Sequence, residues 1–133
     1  MRRDAVVRAL RAALVGRADV ELALLFGSVA RDAARDGSDV DVAVRAPGVD
    51  LSQLSAQLSA AVGAEVDLVD LAGATIPLCQ ALIRESIPFH EGRPGAEGGW
   101  RSSTLSMLET DAPAYARMTE GYLRRVAERA RAG

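Results

Sequence analysis

The chain has 133 residues, 49% hydrophobic and 26% charged, which is enough apolar material for one compact core and too little polar bias for a disordered chain. Its 16 basic and 18 acidic residues leave a formal charge of -2, which argues against broad nucleic-acid binding. Every basic residue is arginine, so a lysine nucleophile or P-loop lysine is excluded, and a single cysteine, Cys79, excludes an internal disulfide or a cysteine metal cluster.

In chain order, MRRDAVVRALRAALVG repeats Val7, Leu10 and Leu14 at helical spacing between Asp4 and Gly16. Asp4, Arg8 and Arg11 interrupt the apolar run that a signal peptide needs. No stretch approaches the roughly 20 apolar residues that span a bilayer, so a cytoplasmic location without membrane contact is expected. VELALLF, residues 20–26, is an unbroken apolar run of strand length. GSVARDAARDG then passes from small residues through an alanine-rich helical turn to a turn at Asp36-Gly37. DVDVAV, residues 39–44, alternates strictly and reads as a strand.

After the break PGVD, residues 47–50, the residues Leu51, Leu54, Leu58 and Val62 mark one face of a helix, and EVDLVDL, residues 65–71, gives a third strand. A helix over 74–85 follows, with Pro77 acceptable only in its first turn and Cys79 packed among apolar neighbours. A short strand over 88–90 closes the pattern. The order αβαβαβαβ implies an α+β fold, with helices packed on a small mixed sheet. His90, the only histidine, is expected in a structural or solvent-exposed role, since nothing places a nucleophile beside it.

GRPGAEGG, residues 92–99, reads as a hinge that separates a domain over 1–91 from a C-terminal helical tail over 100–133. The tail is expected as two helices, over 100–109 and 113–132. Tyr115, Met118, Tyr122 and Val126 fall on one helical stripe, which is expected to pack back on the sheet or the first helix. The competing reading is a docking helix for a partner protein, since aromatics, Met and Arg are enriched at interfaces. Contact with RNA ranks third at this net charge.

The chemistry concentrates in two places. Asp39 and Asp41 lie two apart in a strand, so both carboxylates project together while Val40, Val42 and Val44 face the core. Paired carboxylates repel, and an oxygen-only set of this kind suits Mg²⁺. Asp67, alternating with Val66 and Leu68, is expected on the same side, giving three carboxylates able to hold two metal ions, whereas Asp70 points the other way as a strand-end or capping residue. Gly27 and Ser28 sit where a buried strand turns into a helix, a place whose free N–H groups receive phosphate. Arg31, one turn on, is in reach of a phosphate oxygen or of an acidic residue to brace.

The whole string FGSVARDAARDGSDVDVAV resembles the signature of the DNA polymerase beta-type nucleotidyltransferase superfamily, whose smallest members are MNT-domain antitoxins paired with HEPN-domain toxins. The resemblance covers about residues 1–91. It implies that Gly27 and Ser28 bind the triphosphate, that Asp39, Asp41 and Asp67 bind Mg²⁺, and that Asp67 lies near the acceptor hydroxyl. Ser38-Asp39 matches the usual Ser-Asp at the head of the acidic pair, which adds Ser38 to Arg31 among the nucleotide-site residues. Val29 departs from the pattern, standing where many members have a polar or basic residue. The activity implied is transfer of AMP from ATP, with two Mg²⁺ ions, onto a tyrosine of a HEPN toxin partner.

Plainer readings stand beside these. Asp39 and Asp41 could be surface acids of a solvated strand, Gly27 and Ser28 a tight turn with a capping serine, and Arg31 a surface arginine. A calcium loop in DGSDVDVAVRAP is rejected, because its sixth position lacks Gly and its twelfth lacks Glu. The functional rivals are a catalytically idle antitoxin acting by occlusion and a transferase of the aminoglycoside type, whose relatives usually carry a larger second domain.

Overall fold

Four short strands pair into one mixed sheet in the computed structural model of this chain, which describes residues 2–35 and 37–132. The elements are α1 (Arg3–Leu14), β1 (Leu22–Phe26), α2 (Gly27–Ala30), β2 (Val40–Arg45), α3 (Leu51–Val62), β3 (Val66–Asp70), α4 (Ile76–Glu85), β4 (Ile87–Glu91) and α5 (Ala96–Ala132). The strand order is β3-β2-β1-β4, with β1 antiparallel to β2 and β4, and β2 parallel to β3. This is the α+β architecture with a mixed sheet that the alternation of patterns predicts.

Both faces of the sheet are covered. On one, Val6, Leu10 and Leu14 of α1 and Leu54 and Leu58 of α3 pack on Ala23, Leu25, Val40, Val42, Val44 and Val66. Leu10 and Leu14 are buried as expected, while Val6 takes the place expected of Val7, which sits at the flank. On the other face, Leu82 of α4 and Ala96 and Trp100 of α5 cover Leu22, Leu24 and Ala43. Burial on both sides is why β1 reads as a continuous apolar run rather than an alternation. Each fully buried leucine here contributes roughly 1.5–3 kcal/mol of transfer free energy.

Local chemistry sets the ends of the elements. Asp50 caps α3 by accepting from the Ser52 and Gln53 N–H groups, and Gly63 closes it in the left-handed conformation. Thr75 caps α4, with Pro77 in the first turn. Cys79 is buried, as expected of a core cysteine, and burial pushes its thiol pKa up. His90 places Nε2 2.8 Å from the Arg17 carbonyl oxygen, a structural tie between β4 and the α1–β1 connection. Of the turn expected at Asp36-Gly37, Asp36 lies outside the described residues, and Gly37 has φ +84°.

The C-terminal part differs from the sequence reading. Residues 96–132 form one helix that begins inside the glycine-rich stretch and runs through Pro113. Proline removes one intrahelical hydrogen bond, but Glu109 and Pro113 are both exposed, so water reaches the carbonyl left unpaired. The apolar stripe does not fold back: Met118 is 70% exposed, Tyr122 60% and Tyr115 40%. The physical reason is length. A helix of 37 residues extends about 55 Å, whereas a five-residue strand spans about 17 Å, so the sheet covers only the first turns of α5, at Ala96, Trp100 and Thr104.

The glycines of this stretch serve different ends. A Cβ at Gly92 would overlap the Val20 carbonyl oxygen and lie 2.8 Å from that of Arg17, so this glycine is required by close backbone packing. Gly98 and Gly99 meet nothing within 4 Å and lie in α5. Gly92→Ala is expected to destabilise the chain by about 2 kcal/mol, whereas Gly98→Ala stabilises it by roughly 0.5–1 kcal/mol through helix propensity. Thermal or urea unfolding reads both signs, and a neutral Gly92→Ala would refute the packing argument.

Candidate active site

The end of the sheet where β1 stops and β2, β3 and β4 start brings Gly27 together with Asp39, Asp41 and Asp67. Phe26 is paired with Asp41 across β1 and β2, and Asp41 with Asp67 across β2 and β3. Because paired residues in adjacent strands share a face, Asp41 and Asp67 project together, on the side opposite Val40, Val42 and Val66. Asp39 precedes β2 by one residue instead of lying in it, as the sequence reading had it, and still interacts with both other aspartates. Asp70 accepts from the Ala72 N–H at 2.9 Å, the strand-end role expected of it.

Gly27 joins this acid cluster physically. It turns out of β1 at φ +77°, and a Cβ there would overlap Oδ2 of Asp41. The helix that follows is a single turn, so its contribution to anion binding is one of individual N–H groups, not of a long macrodipole. Ser28 lies half-buried in that turn. Val29 is buried in the core on the α1 and α3 face, which explains an apolar residue at that position and takes it away from the site.

The electrostatics are those of crowded like charges. Asp41 has its carboxyl raised above the usual carboxylate range by partial burial first, then by Asp67, Asp39 and Glu85, with Arg31 opposing. Asp67, although exposed, is also raised, by the desolvation its position imposes and by the neighbouring Asp39 carboxylate. Among the described residues no three His, Cys, Asp or Glu side chains are drawn close enough to enclose a metal by themselves. Donor type and charge fit a divalent cation such as Mg²⁺, and the open spacing fits one that arrives with phosphate and water oxygens completing its shell.

Two expected residues have protein partners. Ser38 accepts from the Arg35 N–H at 2.9 Å, shaping the turn that delivers Asp39. Arg31 braces an acid, Glu85, through Nη1 at 3.1 and 3.0 Å from the two carboxylate oxygens. The same Glu85 accepts from the Gly27 N–H at 3.3 Å. Sequence reading missed Glu85 because 58 residues separate it from Gly27. A signal existed: it is the last residue of α4, where the negative helix end disfavours an anion, so a tertiary partner was called for. The larger surface concavities lie elsewhere, beside α1 at Val7, Arg11 and Val15 and along α5 at Tyr115, Met118 and Tyr122. No helix among the described residues is long and apolar enough to cross a membrane.

Residues 9–92 match the family profile described as polymerase beta, nucleotidyltransferase. The chain is 34% identical over 70 residues to the protein adenylyltransferase MntA of Shewanella oneidensis, and it spans 50% of that protein's length with 50% of its own. A toxin–antitoxin crystal structure with AMP-PNP superimposes at TM-score 0.66 and 25% identity, covering 92% of this chain and 99% of the other. A chain from the complex of a tri-AMPylated Shewanella oneidensis HEPN toxin with an MNT antitoxin gives 0.59 and 25%, covering 90% and 95%.

Proposed function

The chain belongs to the polymerase beta nucleotidyltransferase family and has its fold, and from that premise we propose that it transfers AMP from ATP to a hydroxyl, a tyrosine, of a HEPN-type toxin, so acting as the antitoxin. The observation that carries this reading is the register of Asp41 with Asp67 on one sheet face, with Asp39 beside them and Gly27 in contact with Asp41. The names of the similar proteins, an adenylyltransferase and an AMPylated toxin with its MNT antitoxin, support the choice of nucleotide and acceptor.

In this mechanism the N–H groups of Gly27 and Ser28 receive the triphosphate, with Arg31 and Ser38 at its margin. Asp39, Asp41 and Asp67 would hold Mg²⁺, and a pair of such ions would supply positive charge against the phosphates and the acceptor oxygen. The acceptor oxygen attacks the α-phosphorus and pyrophosphate leaves. By this reading Asp67, exposed at the start of β3, takes the hydroxyl proton. The chain's own contribution is positioning and charge compensation.

The deciding experiment incubates the chain with Mg²⁺, ATP labelled at the α-phosphate and a HEPN-type partner. Label on the partner supports the reading. No label from any of the four nucleotides, despite tight binding of that partner, would replace it by silencing through occlusion.

The partner's seat is the exposed stripe of α5, where Met118, Tyr122 and Leu123 stand free of the sheet and arginines flank them. Met118→Glu with Tyr122→Glu is expected to weaken toxin binding by at least about tenfold, as loss of an aromatic anchor does, while leaving helix content and Mg²⁺–ATP binding intact. Calorimetric titration of the toxin reads this, and unchanged affinity would move the interface elsewhere.

A further inference from the structure

Glu85 is the one strongly engaged side chain of the site that the mechanism above does not use. It is the last residue of α4, its side chain is only 14% exposed, and it is held by two groups assigned to the nucleotide. Oε1 accepts from the Gly27 N–H at 3.3 Å, and both carboxylate oxygens accept from Nη1 of Arg31, at 3.1 and 3.0 Å. A carboxylate and a phosphate present the same chemistry to these donors: two anionic oxygens that accept from an amide and a guanidinium.

We propose that Glu85 is an internal stand-in for the triphosphate, occupying the Gly27 amide and the Arg31 guanidinium until the nucleotide displaces it, and so setting nucleotide affinity. The inference rests on the reading that the triphosphate lies at Gly27.

Three features make Glu85 displaceable rather than fixed. The bond to the Gly27 amide is long. The end of α4 offers an anion no support of its own. Glu85 also adds negative charge to a place where Asp39, Asp41 and Asp67 already crowd together, so an incoming phosphate meets the least repulsion if Glu85 withdraws. Arg31, 53% exposed, is free to follow the phosphate. In the free chain the arrangement satisfies the Gly27 amide. In the loaded chain it turns binding into an exchange of one anion for another, so the apparent dissociation constant is the intrinsic one divided by the fraction of molecules in which Glu85 has left the site.

The test is calorimetric titration of the full chain with Mg²⁺ and α,β-methylene-ATP, comparing wild type, Glu85→Gln and Glu85→Asp. Loss of the competing charge should tighten binding by about two- to fivefold in Glu85→Gln, the range expected for a partly exposed ion pair. Adding Arg31→Gln should erase most of that gain. Glu85→Asp, too short to reach Gly27 but still charged, should give a smaller gain, and it serves if the Gln variant does not fold. Equal or weaker binding in both variants, with wild type binding normally, overturns the inference and makes Glu85 a permanent brace for Arg31. No binding by wild type or either variant overturns the triphosphate reading, and this inference with it.

Discussion

Asp39→Asn combined with Asp41→Asn is expected to lower AMP transfer on the order of a thousandfold, since it removes two of the proposed metal ligands without changing side-chain shape. The same change should make the metal-free chain more stable. Asp41 and Asp67 have raised carboxyl pKa values in the folded chain, from burial and from their neighbours' charges, so the folded state binds protons more tightly than the unfolded one. Their contribution to stability is therefore full below the ordinary carboxylate pKa and is lost as pH rises through the raised, folded-state values. Wild type without metal should show a falling melting temperature over that window, and the double variant a flatter profile with a higher plateau. At neutral pH, added Mg²⁺ should raise the melting temperature of wild type and leave that of the variant unmoved. Label transfer at the wild-type rate by the double variant would remove these carboxylates from the mechanism.

Gly27→Ala is expected to cost both stability and activity, because two separate constraints meet at that residue. Its φ of +77° disfavours any side chain by roughly 1–2 kcal/mol, and the new Cβ overlaps Oδ2 of Asp41. Asp41 must then swing from its place beside Asp67, and transfer should fall by about a hundredfold or more, a loss typical of misplacing a catalytic group by an ångström. Gly63→Ala supplies the control. Gly63 closes α3 at φ +71°, and a methyl added there meets nothing within 4 Å, so this substitution carries the backbone cost alone. Transfer at the wild-type level in Gly63→Ala, set against its loss in Gly27→Ala at matched stability, isolates the contact with Asp41. Equal activity of the two variants would deny that contact any role.

Much of this arrangement is written locally. The alternation of DVDVAV places Val40, Val42 and Val44 in the core and Asp41 opposite, whichever strands lie alongside. The alternation in EVDLVDL does the same for Asp67, and the unbroken run in β1 announces burial on both faces. Gly27 marks the turn because the backbone there needs a positive φ. Such features depend on neighbours within a few residues, so a short window of sequence contains them.

The tertiary structure alone decided three other matters. It brought Glu85 to Gly27 and Arg31, because the antiparallel pairing of β4 with β1 returns the end of α4 to the end of β1. It put Asp41 against Gly27, which follows from the register of β1 with β2 and not from any spacing within either strand. It also left the stripe from Tyr115 to Val126 exposed, because helical periodicity records that one side of α5 is apolar but not what covers it. Periodicity encodes which way a side chain points, and strand order and register decide what it meets.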